Sequence, residues 1–422
     1  MGGDAPAACQ RRPAGHQAAG AGVQLQGAPR AVSPRRLRHG TPADAGLDAR
    51  RVAGLVPAAE AFLDGDGGAG GAGAGGAEGA GGAYPGFVLL AARHGVIVEH
   101  AARGWALAHG ERDGRPFALP ARERVPMARD TVFDVASLTK VFTALVALRL
   151  AERGVLDLDA PVSAHVPGFP ELSPRTLLTH TGGLPAEIDL GPYPDRAARL
   201  AAVAAAPPGP PGYRYSDLGP IAVGAAAEAA AGRPLDALVA ELVTEPLGLA
   251  DTGFLPPRER LPRIAATEYQ PWTGRGVIRG AVHDENAHHL GGVAGHAGLF
   301  STASDLAVLA QTLLNGGEFG GTRLLAPASV RDMLTDHNAG RGLGPGAARG
   351  LGWQLNQPDW MGDLASPTAF GHTGFTGTSL VADPATGVLL VLLTNRVHPT
   401  RAHGTGHAWR RAPARELARA VR

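Results

Sequence analysis

Val135-Ala136-Ser137-Leu138-Thr139-Lys140 holds the only lysine in 422 residues; the 39 lysines and arginines are this one lysine and 38 arginines. Arginine keeps its charge and cannot serve as a proton-transfer base, whereas lysine can. The lysine stands three residues after a serine, and with ten serines in the chain a random placement would meet that spacing only about 2% of the time. Residues i and i+3 share one helix face, so the two side chains can touch. The residues that follow support a helix: Leu138, Val141, Phe142, Leu145, Val146, Leu148 and Leu150 are apolar, and Gly154 suits the C′ position. The spacing predicts a buried central helix over 137–153. A serine at its start would lie among unpaired N–H groups, which favour developing negative charge. The positive helix end and an apolar wall are both expected to lower the lysine's proton affinity, so that it can help activate the hydroxyl.

Composition limits what surrounds this pair. An apolar content of 44% builds a substantial core, and a formal charge of +1 gives no global field for nucleic acid, anionic lipid or an acidic substrate. Cys9 is the sole cysteine, so no intrachain disulfide or cysteine-based zinc cluster forms. No apolar run is long enough to span a membrane, and residues 1–30 lack the apolar core of a signal peptide. The default expectation is therefore a cytoplasmic protein, with secretion from a different start site as the alternative. Lys140 has no preceding glycines, which excludes a Walker-type phosphate loop.

Along the chain, residues 1–40 have no apolar period and read as a disordered extension, and its basic piece 34–39 as a solvated tail. A helix is expected over 46–63. Residues 65–83 form a Gly/Ala-rich flexible loop; Gly68, Gly70 and Gly73 imitate a dinucleotide fingerprint but lack its strand and helix. Runs 87–92 and 96–101 around Arg93-His94-Gly95 predict a hairpin. Residues 155–300 break into short helical pieces, among them 221–231 and 235–242. A helix at 304–314, strands at 351–355, 378–382 and 388–394 and a helix at 414–421 complete the pattern. Strands near both ends predict an α/β (α+β) protein with one central antiparallel sheet flanked by helices. Residues 41–422 are expected to form a single domain, with 155–300 as a mostly helical subdomain.

Two further stretches converge with Ser137 and Lys140. Tyr215-Ser216-Asp217 follows a Pro/Gly-rich loop, and His372-Thr373-Gly374 opens a glycine-punctuated strand pattern that suits close approach of a ligand. Together these elements resemble the serine β-lactamase and penicillin-binding-protein superfamily, in its class C-like branch of esterases, D-aminopeptidases and carboxypeptidases. That branch uses Ser-x-x-Lys, Tyr-x-Asn and Lys/His-Thr/x-Gly in this order. The stretches 177–185 and 291–302 are similar to the family as well, and the likeness spans roughly residues 44–420.

The resemblance implies a β-lactamase/transpeptidase-like fold and a covalent acyl-enzyme on Ser137, with Lys140 as activating and proton-shuttling partner and Tyr215 as general base. It implies that His372 contributes hydrogen bonding and charge, and that the backbone N–H groups of Ser137 and Phe375 form an oxyanion hole beside Thr373 and Gly374. Two residues depart from the pattern. Asp217 replaces asparagine, either pairing with Lys140 and restraining its proton loss or lying turned away. His372 replaces the lysine typical of β-lactamases, which favours esterase or aminopeptidase over lactamase activity. The expected substrate is a small ester, amide or lactam, without metal or organic cofactor. β-Lactamase or D-peptidase activity is the alternative within the class, and a non-hydrolytic penicillin-binding sensor or scaffold the alternative outside it. His283, Asp284, Glu285, His288, His289 and His296 match no zinc pattern and read as a polar rim. His403 and His407 read as surface residues, and His180 either supports the site or caps a turn.

Overall fold

Two of the most apolar runs, 87–92 and 388–393, lie side by side in the middle of the sheet. A computed structural model describes residues 36–64, 82–344, 346–402 and 406–421. Cys9, the glycine run at 68–73 and His403 lie outside the described residues, as do 1–35 of the stretch read as an extension and 65–81 of the Gly/Ala loop.

The main sheet runs through β1 (Arg38–His39), β2 (Gly86–Arg93), β3 (Val96–Leu107), β4 (Gln354–Leu355), β5 (Phe370–Thr373), β6 (Thr378–Asp383) and β7 (Val388–Thr394), in spatial order β1-β3-β2-β7-β6-β5-β4, and Val125–Pro126 pairs with β3 off this path as its eighth strand. The hairpin and the two C-terminal strands are where the sequence places them. The 351–355 strand shrinks to Gln354–Leu355. All pairings from β3 to β4 are antiparallel, as expected, but β1 pairs with β3 in parallel, so the sheet is mixed. Residues 38–39 also correct the reading of 1–40 as an extension. They are held by main-chain bonds such as Arg38 N to Gly95 O at 2.9 Å, and such bonds leave no side-chain pattern to read.

Alternation along β7 explains why the sheet is covered on both faces. Leu389, Val391 and Leu393 join Val88 and Leu90 in one core, and Val388, Leu390 and Leu392 join Phe87 and Leu89 in the other. Each fully buried leucine contributes roughly 1.5–3 kcal/mol. The first core is closed by helices α1 (Thr139–Glu152), α2 (Leu218–Ala231) and α3 (Ala303–Leu314), the second by α4 (Ala408–Ala420) and the short helix Leu55–Glu60. The helix expected over 46–63 is in fact two, Ala49–Val52 and Leu55–Glu60.

The 155–300 stretch holds α2 and shorter helices separated by turns and loops. It also contributes Gly253–Phe254 and Leu299–Ser301 to a three-stranded sheet with Phe133–Asp134. That small sheet ends three residues before Ser137. Among the described residues no helix is long and apolar enough to cross a membrane.

Candidate active site

Ser137 sits in a 3-10 turn, Ala136–Leu138, and α1 begins two residues later than the spacing suggests, at Thr139. Asp134 shapes this turn. Its buried carboxylate accepts from Ala136 N (2.8 Å) and His283 N (2.7 Å), while Val135 N donates to Leu299 O. Ala136 adopts φ of +47°, a strained conformation for a residue with a Cβ and of the kind that clusters at functional sites. The turn leaves Ser137 half-buried at the edge of a cavity of about 460 Å³.

Lys140 is 1% exposed. Its Nζ donates to Ser137 Oγ (2.8 Å) and His296 O (3.1 Å) and forms an ion pair with Asp217 Oδ1 at 2.8 Å. Gly295 allows the second of these contacts. A Cβ there would lie 2.0 Å from Pro220 O, so only glycine lets the 291–298 loop thread against the first turn of α2 and bring the His296 carbonyl to the ammonium. The expected loss of proton affinity is overturned. Burial disfavours the charged form, but Asp217 and Tyr215 outweigh it and raise the Lys140 pKa. Of the two orientations open to Asp217, pairing is the one observed.

Tyr215 is half-buried, its ring centroid 5.1 Å from Lys140 Nζ. His180 supports it from behind: the two ring centroids are 4.6 Å apart, and Ser216 N donates to His180 Nδ1 at 3.2 Å. His372 lies with its ring centroid 6.3 Å from that of Tyr215. It is 2% exposed, and its Nδ1 is 2.8 Å from Thr373 O, which makes Nδ1 the protonated nitrogen. Burial first, and Lys140 second, push its pKa down to about 3. His372 is therefore uncharged at neutral pH.

That shift has a stability consequence. Between about pH 6.5 and pH 3 the unfolded chain binds a proton at residue 372 that the folded chain refuses, so the contribution is complete above pH 6.5 and is lost as pH falls toward 3. The wild type is expected to melt at progressively lower temperature from pH 7 to pH 4, and His372→Gln to show a shallower decline. Calorimetry across that range checks it; equal slopes would contradict the burial argument.

The turn after β5 completes the cavity. Thr376 Oγ1 donates to Asp134 O (2.8 Å) and Thr378 Oγ1 to Val135 O (3.1 Å), which ties the segment carrying Phe375 to the one carrying Ser137. Gly374 is required for this approach, since a Cβ would fall 2.4 Å from Val135 O. Thr373, Gly374 and Phe375 line the cavity with Ser137, Tyr215 and Arg349. Phe375 is 48% exposed and stacks on His283, with ring centroids 5.6 Å apart.

The structure thus brings together Ser137, Lys140, Tyr215, Asp217, His372, Thr373, Gly374 and Phe375. Asp284 and His296, read as parts of a rim, meet beside Lys140, with His296 Nε2 2.9 Å from Asp284 Oδ1. Among the described residues, Asp217, Asp284 and His296 present donor atoms within 4.8 Å of one another and are a group that could hold a metal ion. The Lys140 ammonium pairs with Asp217, and at Asp284 burial opposes the charged form but is outweighed by His296, the Ala287 N–H and, behind them, Lys140, which together lower the Asp284 pKa. His407 is not a surface residue in isolation: it lines the cavity and its Nδ1 contacts Arg410 at 2.7 Å. Arg349, Arg396 and Arg410 also line the cavity and carry no motif that marks them in the sequence.

A family model described as Beta-lactamase matches residues 75–414. A protein of Escherichia coli (strain K12) with the provisional name D-alanyl-D-alanine carboxypeptidase is 35% identical over 359 residues, covering 75% of this chain and 79% of its own. One of Salmonella enteritidis PT4 with the same provisional name is 34% identical over 360 residues, with the same coverage. Among solved structures, EstCE1, described as a hydrolase with promiscuous acyltransferase activity, shares the fold (TM-score 0.64, 24% identity, 88% of this chain and 98% of that one). So do a penicillin-binding-protein homologue from Caulobacter crescentus (TM-score 0.64, 24% identity, 88% and 99%) and a class C β-lactamase from Rhodobacter sphaeroides (TM-score 0.59, 20% identity, 79% and 94%).

Proposed function

Since the chain belongs to the β-lactamase family, we propose that it is a serine hydrolase that cleaves small esters or amides through an acyl-enzyme on Ser137. The observation that carries this reading is the buried Lys140 ammonium, 2.8 Å from Ser137 Oγ and balanced by Asp217. In this reading Tyr215 enters as the phenolate: as Ser137 Oγ attacks the substrate carbonyl, Lys140 hands a proton to Tyr215 while taking the one from Oγ, so that it stays an ammonium and Tyr215 becomes the phenol. The carbonyl oxygen takes up negative charge against the N–H groups of Ser137 and Phe375. Tyr215 returns the proton to the leaving group as the C–O or C–N bond breaks. Water then repeats the cycle on the acyl-enzyme and frees the acid.

Esters are the first choice because His372, uncharged, gives a substrate carboxylate no cation at that position. A D-alanyl peptidase is the second reading. Buried Arg349 and Arg396 on the cavity wall could receive a carboxylate, and the E. coli and Salmonella relatives bear carboxypeptidase names. A parallel assay of p-nitrophenyl acetate, a chromogenic cephalosporin and a D-alanyl-D-alanine peptide tests both. The ester is expected to turn over at least about tenfold faster than the cephalosporin, a difference of roughly 1.4 kcal/mol in barrier. Preference for the peptide would select the second reading. A single burst without turnover would instead indicate a penicillin-binding sensor, and no burst a scaffold.

A further inference from the structure

Helix α4 buries a guanidinium with which no acid among the described residues forms an ion pair. Arg410, on α4, is 6% exposed and lines the cavity. Burial, with Arg396 second, disfavours its charge, and the outlying Asp359 offsets this only in part. Its partners are neutral: Nη1 meets His407 Nδ1 at 2.7 Å, and Nη2 donates to Gly374 O at 3.2 Å and Thr378 O at 3.3 Å. Placing an ion here is costly unless its field is used.

The Gly374 carbonyl belongs to the same peptide unit as the Phe375 N–H. In a trans peptide the two point in opposite directions, and this bond is trans. Gly374 O accepts from Gly377 N (3.1 Å) as well as from Arg410. Arg396 Nη2 holds the next carbonyl, Phe375 O, at 2.8 Å. The negative end of the 374–375 dipole is therefore fixed on a buried cation, and hydrogen bonds in series polarise one another in a low-dielectric interior.

Resting on Phe375 N–H as an oxyanion donor, we propose that Arg410 is a positioning residue that fixes and polarises the Gly374–Phe375 peptide, strengthening that donor without touching substrate. Its effect belongs to the tetrahedral stage, where the oxygen is charged, and not to the bound ester.

The test uses the full chain with Arg410→Met and Arg410→Lys, a substrate without a carboxylate, p-nitrophenyl acetate, and phenylboronic acid, whose adduct with a serine is tetrahedral. Arg410→Met is expected to lose about tenfold in kcat with KM within about twofold, and to bind the boronate weaker by a similar factor. Arg410→Lys, which keeps charge but not the fork, should fall between it and the wild type. Three results would overturn the inference: a folded Arg410→Met with kcat within twofold of wild type, a rise in KM alone, or a loss of kcat with unchanged boronate affinity. If Arg410→Met does not fold, Arg410→Lys decides: a joint fall of about threefold or more supports the inference, and either quantity unchanged rejects it. Failure of a fluorophosphonate to label Ser137 in the wild type would reject the functional reading first, and this inference with it.

Discussion

Ser137→Ala is expected to abolish both ester turnover and covalent labelling by a fluorophosphonate, with kcat falling on the order of 10⁴-fold or more. Ser137 Oγ lies 2.8 Å from a buried ammonium at the lip of the cavity. Tyr215 cannot take its place as nucleophile, because attack by the phenol would remove the group that receives the proton. The substitution should spare the fold. It removes one hydrogen-bond acceptor from Lys140, a loss of about 1 kcal/mol, while Asp217 and the His296 carbonyl remain in contact. Intact-mass analysis after labelling, with a thermal melt of the same sample, separates the two effects. A variant labelled as fully as wild type would remove Ser137 from the reaction.

Lys140→Arg is expected to lose roughly 10²-fold or more in kcat while keeping the formal charge. The site is built around a compact head: Nζ is enclosed by Ser137 Oγ, His296 O and Asp217 Oδ1, and the side chain is 1% exposed. A planar guanidinium is larger than this space, and forcing it in costs about 1–3 kcal/mol or displaces the 291–298 loop. It would also hold its protons too firmly to pass one between Oγ and Tyr215. Steady-state kinetics on the ester, with Lys140→Ala alongside, distinguishes the two requirements. Near-normal rates in the arginine variant would mean that positive charge alone is needed and that the proton relay is wrong.

Local patterns exposed the frame of this molecule, and long-range polar contacts hid its chemistry. The runs forming β2 and β7 are legible because alternate side chains face two apolar cores, and α1 because it is apolar all round. Ser137 and Lys140 are legible because a one-turn spacing is a local property. The sign of the Lys140 shift is not local: it depends on Asp217, 77 positions along the chain, folding back to 2.8 Å. The same holds for Asp284 beside His296 and for Arg410 beneath the Phe375 turn. Each acts through a single bond across the fold, and a single bond imposes no period on its neighbours. The parallel strand β1 is invisible for a related reason, since its pairing uses main-chain atoms alone.

The solitary lysine has a practical corollary for anyone handling this protein. With its one ε-amine enclosed, coupling chemistries that seek lysine, such as succinimidyl dyes, aldehyde resins and bifunctional succinimidyl crosslinkers, meet no such group on the folded surface. The amine becomes reachable only when the first turn of α1 opens, so slow modification at position 140 would act as a clock for that opening.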